Sequence, residues 1–285
     1  MRRLIVNADD FGLTRGVNRA IAEAHTNGIV TSTTLMANSP AFEQAAQLAK
    51  SSDRWSVGCH VVLVDGEPLI DPGRVRSLLR RGDTRFHKGL GAITLRALSA
   101  RLDSDQVEAE VTAQIRKLQA HGLHVSHLDT HKHTHMFPAV LRGVLRAART
   151  CGVRAIRNPF ESMAADFLRT RKRLWKRYIQ VRALHGLAGP FRRTVSKVGM
   201  RTPDGTLGIV VTGSLDLRLF QGIAENVPEG TWEFVCHPGY LDDDLRAIPT
   251  RLRESRVREL ELLTSPETRR ALTEHGIELI SYQDL

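Results

Sequence analysis

Leu4-Ile5-Val6-Asn7-Ala8-Asp9-Asp10-Phe11-Gly12 sets the frame for the whole chain. Residues 4–8 predict a short apolar strand, and two adjacent carboxylates stand at its end. Residues 14–27 then predict a helix, with Thr14 at its N-cap and Gly28 just past its last turn. The same alternation continues outward. Strands are predicted over 30–37, 55–62, 123–128, 153–157, 207–212, 232–236 and 277–281. Helices are predicted from about 40 to 50 and over 95–102, 105–121, 138–151, 252–263 and 266–275. Residues 65–91, rich in Gly, Pro and Arg, predict a long loop beside the active face. Repeated β-α units imply an α/β protein with a parallel sheet, open or closed into a barrel.

The chemistry-bearing residues fall at one end of that sheet. Asp9 and Asp10 follow the first strand, His60 ends the third, and His131 follows the next. Arg157 ends a later strand and His237 follows residues 232–236. Carboxyl ends of strands are where barrel enzymes build their active sites. One carboxylate and two imidazoles suit a mononuclear metal hydrolase, with the second carboxylate left free as a base. The Asp pair also suits an N-cap or an Asx turn, and a single buried histidine is commonly structural.

In His127-Leu128-Asp129-Thr130-His131-Lys132-His133-Thr134-His135, every odd position is His or Asp. An extended segment would place all five on one side, more than one tetrahedral ion can take. The remainder would orient imidazoles or contact substrate. Cys236-His237-Pro238-Gly239 repeats the Cys-His arrangement of Cys59-His60 and adds a forced turn.

Composition bounds the rest. The chain has 285 residues, 41% hydrophobic and 25% charged, ordinary for a soluble globular domain. We expect one domain over 1–285 with an insert at about 160–203. No apolar run reaches membrane-span length, and the N-terminus turns polar too early for a signal-peptide core, so a cytoplasmic location is expected. Cys59, Cys151 and Cys236 form no C-x-x-C pair and read as small buried hydrophobes. The formal net charge of +10 comes from residues 168–201, which hold 11 Lys and Arg and no Asp or Glu.

Five segments together resemble the YdjC-type carbohydrate deacetylases. They are Asn7-Ala8-Asp9-Asp10-Phe11-Gly12, Asn27-Gly28-Ile29-Val30-Thr31-Ser32-Thr33-Thr34, Gly58-Cys59-His60, the run from His127 to Met136, and Cys236-His237-Pro238. The resemblance runs from residue 2 to 282 and is poor over 160–215. It implies a deformed, TIM-like (β/α) barrel that hydrolyses an N-acetyl group from an amino sugar. By the same resemblance Asp10, His60 and His131 hold a metal, Asp9 is the base and His237 the acid. Asp129 and His133 are then expected at the substrate, and Arg157 either there, contacting the sugar, or holding Asp9 ionised. One oxygen and two nitrogen ligands make zinc the expected ion, with magnesium or another divalent ion as the alternative. Lys132 departs from the His-His-His-x-His pattern of the chitooligosaccharide-type members.

The basic insert separates two substrate classes. Leu174, Trp175, Tyr178, Ile179 and Val181 fall near helical spacing and form an apolar stripe with a basic flank. Such a helix suits contact with an anionic membrane, and equally suits a solvated basic helix packed on the barrel. The stripe favours the branch similar to the hopanoid-biosynthesis deacetylases, which act on an acetylglucosaminyl glycolipid, over a soluble chitooligosaccharide deacetylase. A peripheral position at the inner membrane face goes with that reading. A catalytically silent lipid- or sugar-binding protein is a third class. Nucleic acid is not an expected partner, because the charge sits in an insert while the metal constellation faces a cleft.

Overall fold

The computed structural model describes residues 1–51, 55–162 and 172–285. The first half contains β1 (Arg2–Phe11), α1 (Arg15–Thr26), β2 (Ser32–Leu35), α2 (Phe42–Lys50), β3 (Ser56–Val61), α3 (Gly89–Leu98), α4 (Ser104–Ala120), β4 (Leu128–Thr130) and α5 (Pro138–Cys151). The second half contains α6 (Lys172–Ala183), α7 (Ala188–Lys197), β5 (Gly205–Leu207), α8 (Leu217–Glu225), β6 (Gly230–Cys236), α9 (Asp243–Ala247), α10 (Glu254–Leu263), α11 (Pro266–Glu274) and β7 (Ile277–Ile280).

All pairings between these strands are parallel, in the order β4-β3-β2-β1-β6-β5. The sheet curls into a half-barrel with helices around it, a TIM-like α/β arrangement. β7 pairs with the first residues of β1, from Arg2 to Ile5, while β2 takes the same strand from Asn7 onward. β1 is thus the hub, and eight of its ten residues are buried. Single bridges, Leu128 with Ile156, Ala155 with Arg201 and Glu161 with Thr206, span the gap between β4 and β5. The expected strand over 153–157 exists only as these bridges, yet they suffice to fix Arg157. Its N–H donates to the Leu128 carbonyl at 2.9 Å.

Other elements move for local reasons. The strand expected over 207–212 is Gly205–Leu207 only, because Gly208 takes φ +98° and turns the chain away. Glu161 then accepts the Gly208 and Val210 N–H groups at 2.8 and 2.7 Å. The strand expected over 123–128 is displaced to Leu128–Thr130, and the helix expected over 95–102 starts earlier, at Gly89. α8 and α9 were not expected. The loop expected over 65–91 runs irregularly to Lys88 with two short 3-10 turns, and its last three residues belong to α3.

Of the two places expected for the basic insert, the described residues show packing on the barrel. On α6, Leu174 is 6% exposed, and Trp175, Tyr178 and Val181, with Leu184 just after the helix, pack partly buried against the core. The apolar stripe therefore faces inward, where it gains more from burial than from water. Lys176, Ile179 and Arg182 are exposed on the outer face. Leu174 and Trp175 are spent on the protein and unavailable to a bilayer. Phe167, Leu168, Arg169 and Arg171 lie outside the described residues, as do the side chains of Lys172 and Arg173.

Candidate metal centre and active site

The end of β1 carries a bulge between Ala8 and Phe11, and Asp10 sits at φ +67°. A plain strand would send successive side chains to opposite faces. The left-handed residue breaks that rule, so Asp9 and Asp10 both face one cavity. Asp is among the few non-glycine residues that tolerate this conformation.

Asp10 Oδ1 lies 3.6 Å from His60 Nε2 and 3.3 Å from His131 Nδ1, and the two ring nitrogens are 3.3 Å apart. Four ligands at the usual distance from a tetrahedral ion lie about 3.4 Å from one another. The triangle therefore fits a single ion. Asp10 Oδ1 is also buried without any hydrogen-bond partner, the orphaned acceptor that an ion would satisfy. Asp10 Oδ2 is taken by Arg256 Nη2 at 2.5 Å. His60 Nδ1 lies 2.8 Å from Asp129 Oδ1, which leaves Nε2 as the ligand atom.

Charge agrees with geometry. The contact-linked cluster of Asp9, Asp10, Asp129 and Glu233 is opposed by two guanidiniums, Arg157 and Arg256. Two negative charges are left over on the carboxylates, which a protonated His60 halves and a divalent cation on neutral imidazoles would cancel. Burial alone would push His60 down, but Asp129 and the two carboxylates beyond it hold its imidazole up at about 9. The niche thus favours positive charge at the spot where an ion would sit. Asp9, His60 and Asp129 form a second possible ligand group, but Arg157 already bonds both carboxylates there.

Arg157 is fully buried and touches three carboxylates. It reaches Asp9 at 2.6 and 2.8 Å, Asp129 at 2.5 Å and Glu233 at 2.7 Å. Burial would raise the Asp9 carboxyl, but the Arg157 guanidinium outweighs it and holds Asp9 far below the usual carboxylate range. Tyr282 donates its hydroxyl to Glu233 at 2.5 Å, and its ring stacks on His127 with centroids 3.5 Å apart. Asn7 Nδ2 donates to Asp9 Oδ1 at 2.9 Å. Asp9 is therefore tied to β1, to the Arg157 segment and, through Arg157 and Glu233, to β6.

His237 follows β6. Its Nε2 lies 4.0 Å from Asp9 Oδ2, and its backbone N–H donates to Glu259 at 2.6 Å. Burial pushes its imidazole down to about 4 although Asp9 and Asp10 pull the other way, so it is neutral near pH 7. Gly239 is required here, because a Cβ would meet Arg256 Cδ at 2.9 Å. The Cys-His-Pro-Gly turn thus leaves room for the arginine stem that runs to Asp10.

The remaining expected residues divide. His133 lines the cavity with Nδ1 unpartnered, as a substrate contact should. Lys132 and His133 take φ +57° and +55°, so the alternation read as extended holds only to Thr130. Asp129 is 0% exposed, with its oxygens on His60, Thr34 and Arg157. It reaches the site only by orienting His60, which corrects its expected place at the substrate. Arg157 is equally sealed and acts on Asp9 rather than on a sugar. Arg256, Glu259, Glu233 and Tyr282 belong to the site without having been expected.

Above this floor the cavity measures about 1180 Å³. Its walls come from the loop over 65–91, from α6 and from the stretch before α10, with Phe86, Leu90, Val181, Leu184, Ile248 and Leu252 among the apolar lining.

Residues 3–274 match the model of the YdjC-like protein family. The chain belongs to that family. A carbohydrate deacetylase of Geobacillus stearothermophilus is 34% identical over 99% of this chain and 98% of its own length. A chitooligosaccharide deacetylase of Salmonella paratyphi B is 32% identical over 100% and 99%. A solved structure described as a putative cellobiose-phosphate cleavage protein from Enterococcus faecalis superimposes with a TM-score of 0.78, at 28% identity over 99% and 98% of the two chains.

Proposed function

We propose that this YdjC-like protein is a metal-dependent deacetylase that hydrolyses the N-acetyl group of an N-acetylglucosaminyl substrate. The observation that carries it is the Asp10–His60–His131 triangle with an ionised Asp9 held beside it by Arg157. A divalent ion there, zinc by its nitrogen-rich ligand set, supplies a Lewis acid for the acetyl carbonyl and acidifies water. Asp9, kept ionised, accepts the proton from the attacking water. His237 is neutral and must gain a proton before it can act as an acid. Asp9 at 4.0 Å is the adjacent source, and its carboxylate stabilises the imidazolium that forms. His237 Nε2 then delivers that proton to the departing amine. In this reading the imidazole of His133, which lines the cavity with Nδ1 unpartnered, contacts the sugar.

The finer reading is a glycolipid, an acetylglucosaminyl hopanoid, rather than a soluble chitooligosaccharide. A cavity of about 1180 Å³ exceeds what one sugar fills, and its outer walls carry Phe86, Leu90, Val181 and Leu184. Peripheral contact with an anionic membrane belongs to this reading. No helix among the described residues is long and apolar enough to cross a membrane. Mass spectrometry of acetylglucosaminyl lipid and of diacetylchitobiose after incubation with metal-loaded protein tests it. Loss of one acetyl group from the lipid is expected. Loss from diacetylchitobiose alone overturns the lipid assignment, and loss from neither overturns the deacetylase.

A further inference from the structure

We propose that α3 is the element that docks this protein on an anionic lipid bilayer, at the rim of the catalytic cavity. The proposal rests on the lipid-substrate reading above but is tested without substrate. Leu95 is 69% exposed and Leu98 76%, which makes them two of the five large hydrophobic side chains left open among the described residues. They stand three residues apart on one helix, so they form one patch. The opposite side of α3 is anchored: Ile93 is 1% exposed, and Arg96 Nε donates to the Ser77 carbonyl at 2.9 Å. Leu90, on the first turn, lines the cavity.

The charge around this patch has one sign. Residues 74–101 carry 8 Lys and Arg against one acid, Asp83. Arg80 is paired with Asp83 and Arg85 with Glu67. Arg81, Lys88 and Arg101 are exposed, and none of them makes an ion pair within the described residues. A second copy of the chain would bring the same positive surface against itself. An anionic bilayer offers negative headgroups for the cations and an apolar depth for the leucines at once. The cavity wall formed by Phe86, Lys88 and Leu90 leads directly into α3, so a lipid leaving the bilayer there meets the mouth. This differs from docking through α6, whose apolar stripe is buried against the core.

The test is co-flotation of the metal-loaded full chain with phosphatidylglycerol-containing vesicles and with pure phosphatidylcholine vesicles. Binding to the anionic vesicles is expected, partly reversed by salt. Leu95→Ser with Leu98→Ser should weaken it about tenfold or more, through the salt-insensitive part. Its melting temperature and its turnover of a soluble N-acetylglucosamine compound should stay unchanged, since neither leucine lines the cavity. Arg81→Gln with Arg101→Gln should remove salt-sensitive binding and leave the apolar part. The proposal falls if the wild-type chain fails to float at low salt, or if the double-serine variant floats equally well. It also falls if light scattering shows a wild-type dimer that the double-serine variant loses. Absence of deacetylation would sink the substrate reading and leave the flotation result standing.

Discussion

The floor of the cavity and its walls are built on opposite plans. On the floor, Asp9, Asp129, Arg157 and Glu233 are buried, and each is held by at least two partners from different segments. A buried charge with that many partners has one position. The walls come from the loop over 65–91 and from α6, and their polar ties run mainly to groups off the floor, as where Glu110 of α4 accepts the Leu69 and Ile70 N–H groups. The bond from Arg177 to the Thr212 carbonyl at 2.5 Å is one such tie. What meets the acetyl group is thus over-determined, while what meets the rest of the substrate can change without disturbing it.

The sharpest way to break this contrast is at the ion. Asp10→Ala, His60→Ala and His131→Ala should each lose bound metal and turnover together, the largest effect anywhere in the chain. Asp9→Asn should keep the metal and lose roughly 10²- to 10⁴-fold in kcat, because only the proton acceptor goes. Metal analysis of the four purified variants decides it. Stoichiometric metal in the three alanine variants removes the ligand assignment.

His237 lies next in the scale. If it delivers the proton to the amine, His237→Ala should retain metal and KM while kcat falls about 10²-fold. The loss should shrink with substrates whose leaving amine needs little protonation. Equal losses on both kinds of substrate would make His237 a positioning residue for the loop before α9.

The same contrast explains what could be read from the sequence. Asp9, Asp10, His60, His131 and His237 stand at ends of apolar strands, where the period-two pattern says which way the chain points. Arg157 was visible for the same reason, even though its strand is reduced to single bridges. Arg256 and Glu259 were not, because α10 reads Glu254-Ser255-Arg256-Val257-Arg258-Glu259, like any solvated helix. Burial of a charged helical side chain depends on what packs above it, and no local pattern records that. Glu233 sits within an otherwise apolar strand, Trp232 to Cys236, and that interruption was the usable signal. α8 had one too: Asp216 ahead of Leu219, Phe220, Ile223 and Ala224. On the walls, the stripe of α6 showed that an apolar face existed but could not show what would cover it.

Glu233 and Tyr282 sharpen the floor side of the comparison with a smaller effect. Glu233→Ala leaves Arg157 short of one partner in a sealed site and should destabilise the fold by about 3–5 kcal/mol. Tyr282→Phe leaves a buried carboxylate oxygen without its donor and should cost about 1–3 kcal/mol. In both variants Arg157 is freer to leave Asp9, so kcat should fall more than KM rises, with metal retained. Thermal melting together with initial rates checks this, and Glu233→Gln, whose carbonyl can accept from Arg157 while its amide N–H donates to the Tyr282 hydroxyl, should recover part of the loss. If melting falls and kcat does not, the pair is structural only.

The smallest expected effect, and the most selective, is on the wall. Val181 on α6 and Leu184 just after it line the cavity. Apolar contact with a substrate discriminates by only about 1–3 kcal/mol per position, so truncation should be mild and should fall on the aglycone. Val181→Ala with Leu184→Ala should lower kcat/KM for a lipid-linked acetylglucosaminyl substrate by roughly tenfold, mostly through KM. A short soluble N-acetylglucosamine compound, which cannot reach α6 while its acetyl group is at the ion, should be turned over at the wild-type rate. The ratio of the two rates is the measurement, because a general loss of folded protein scales both alike. An unchanged ratio would mean that α6 only covers the core, and the lipid would then have to be recognised by the loop over 65–91.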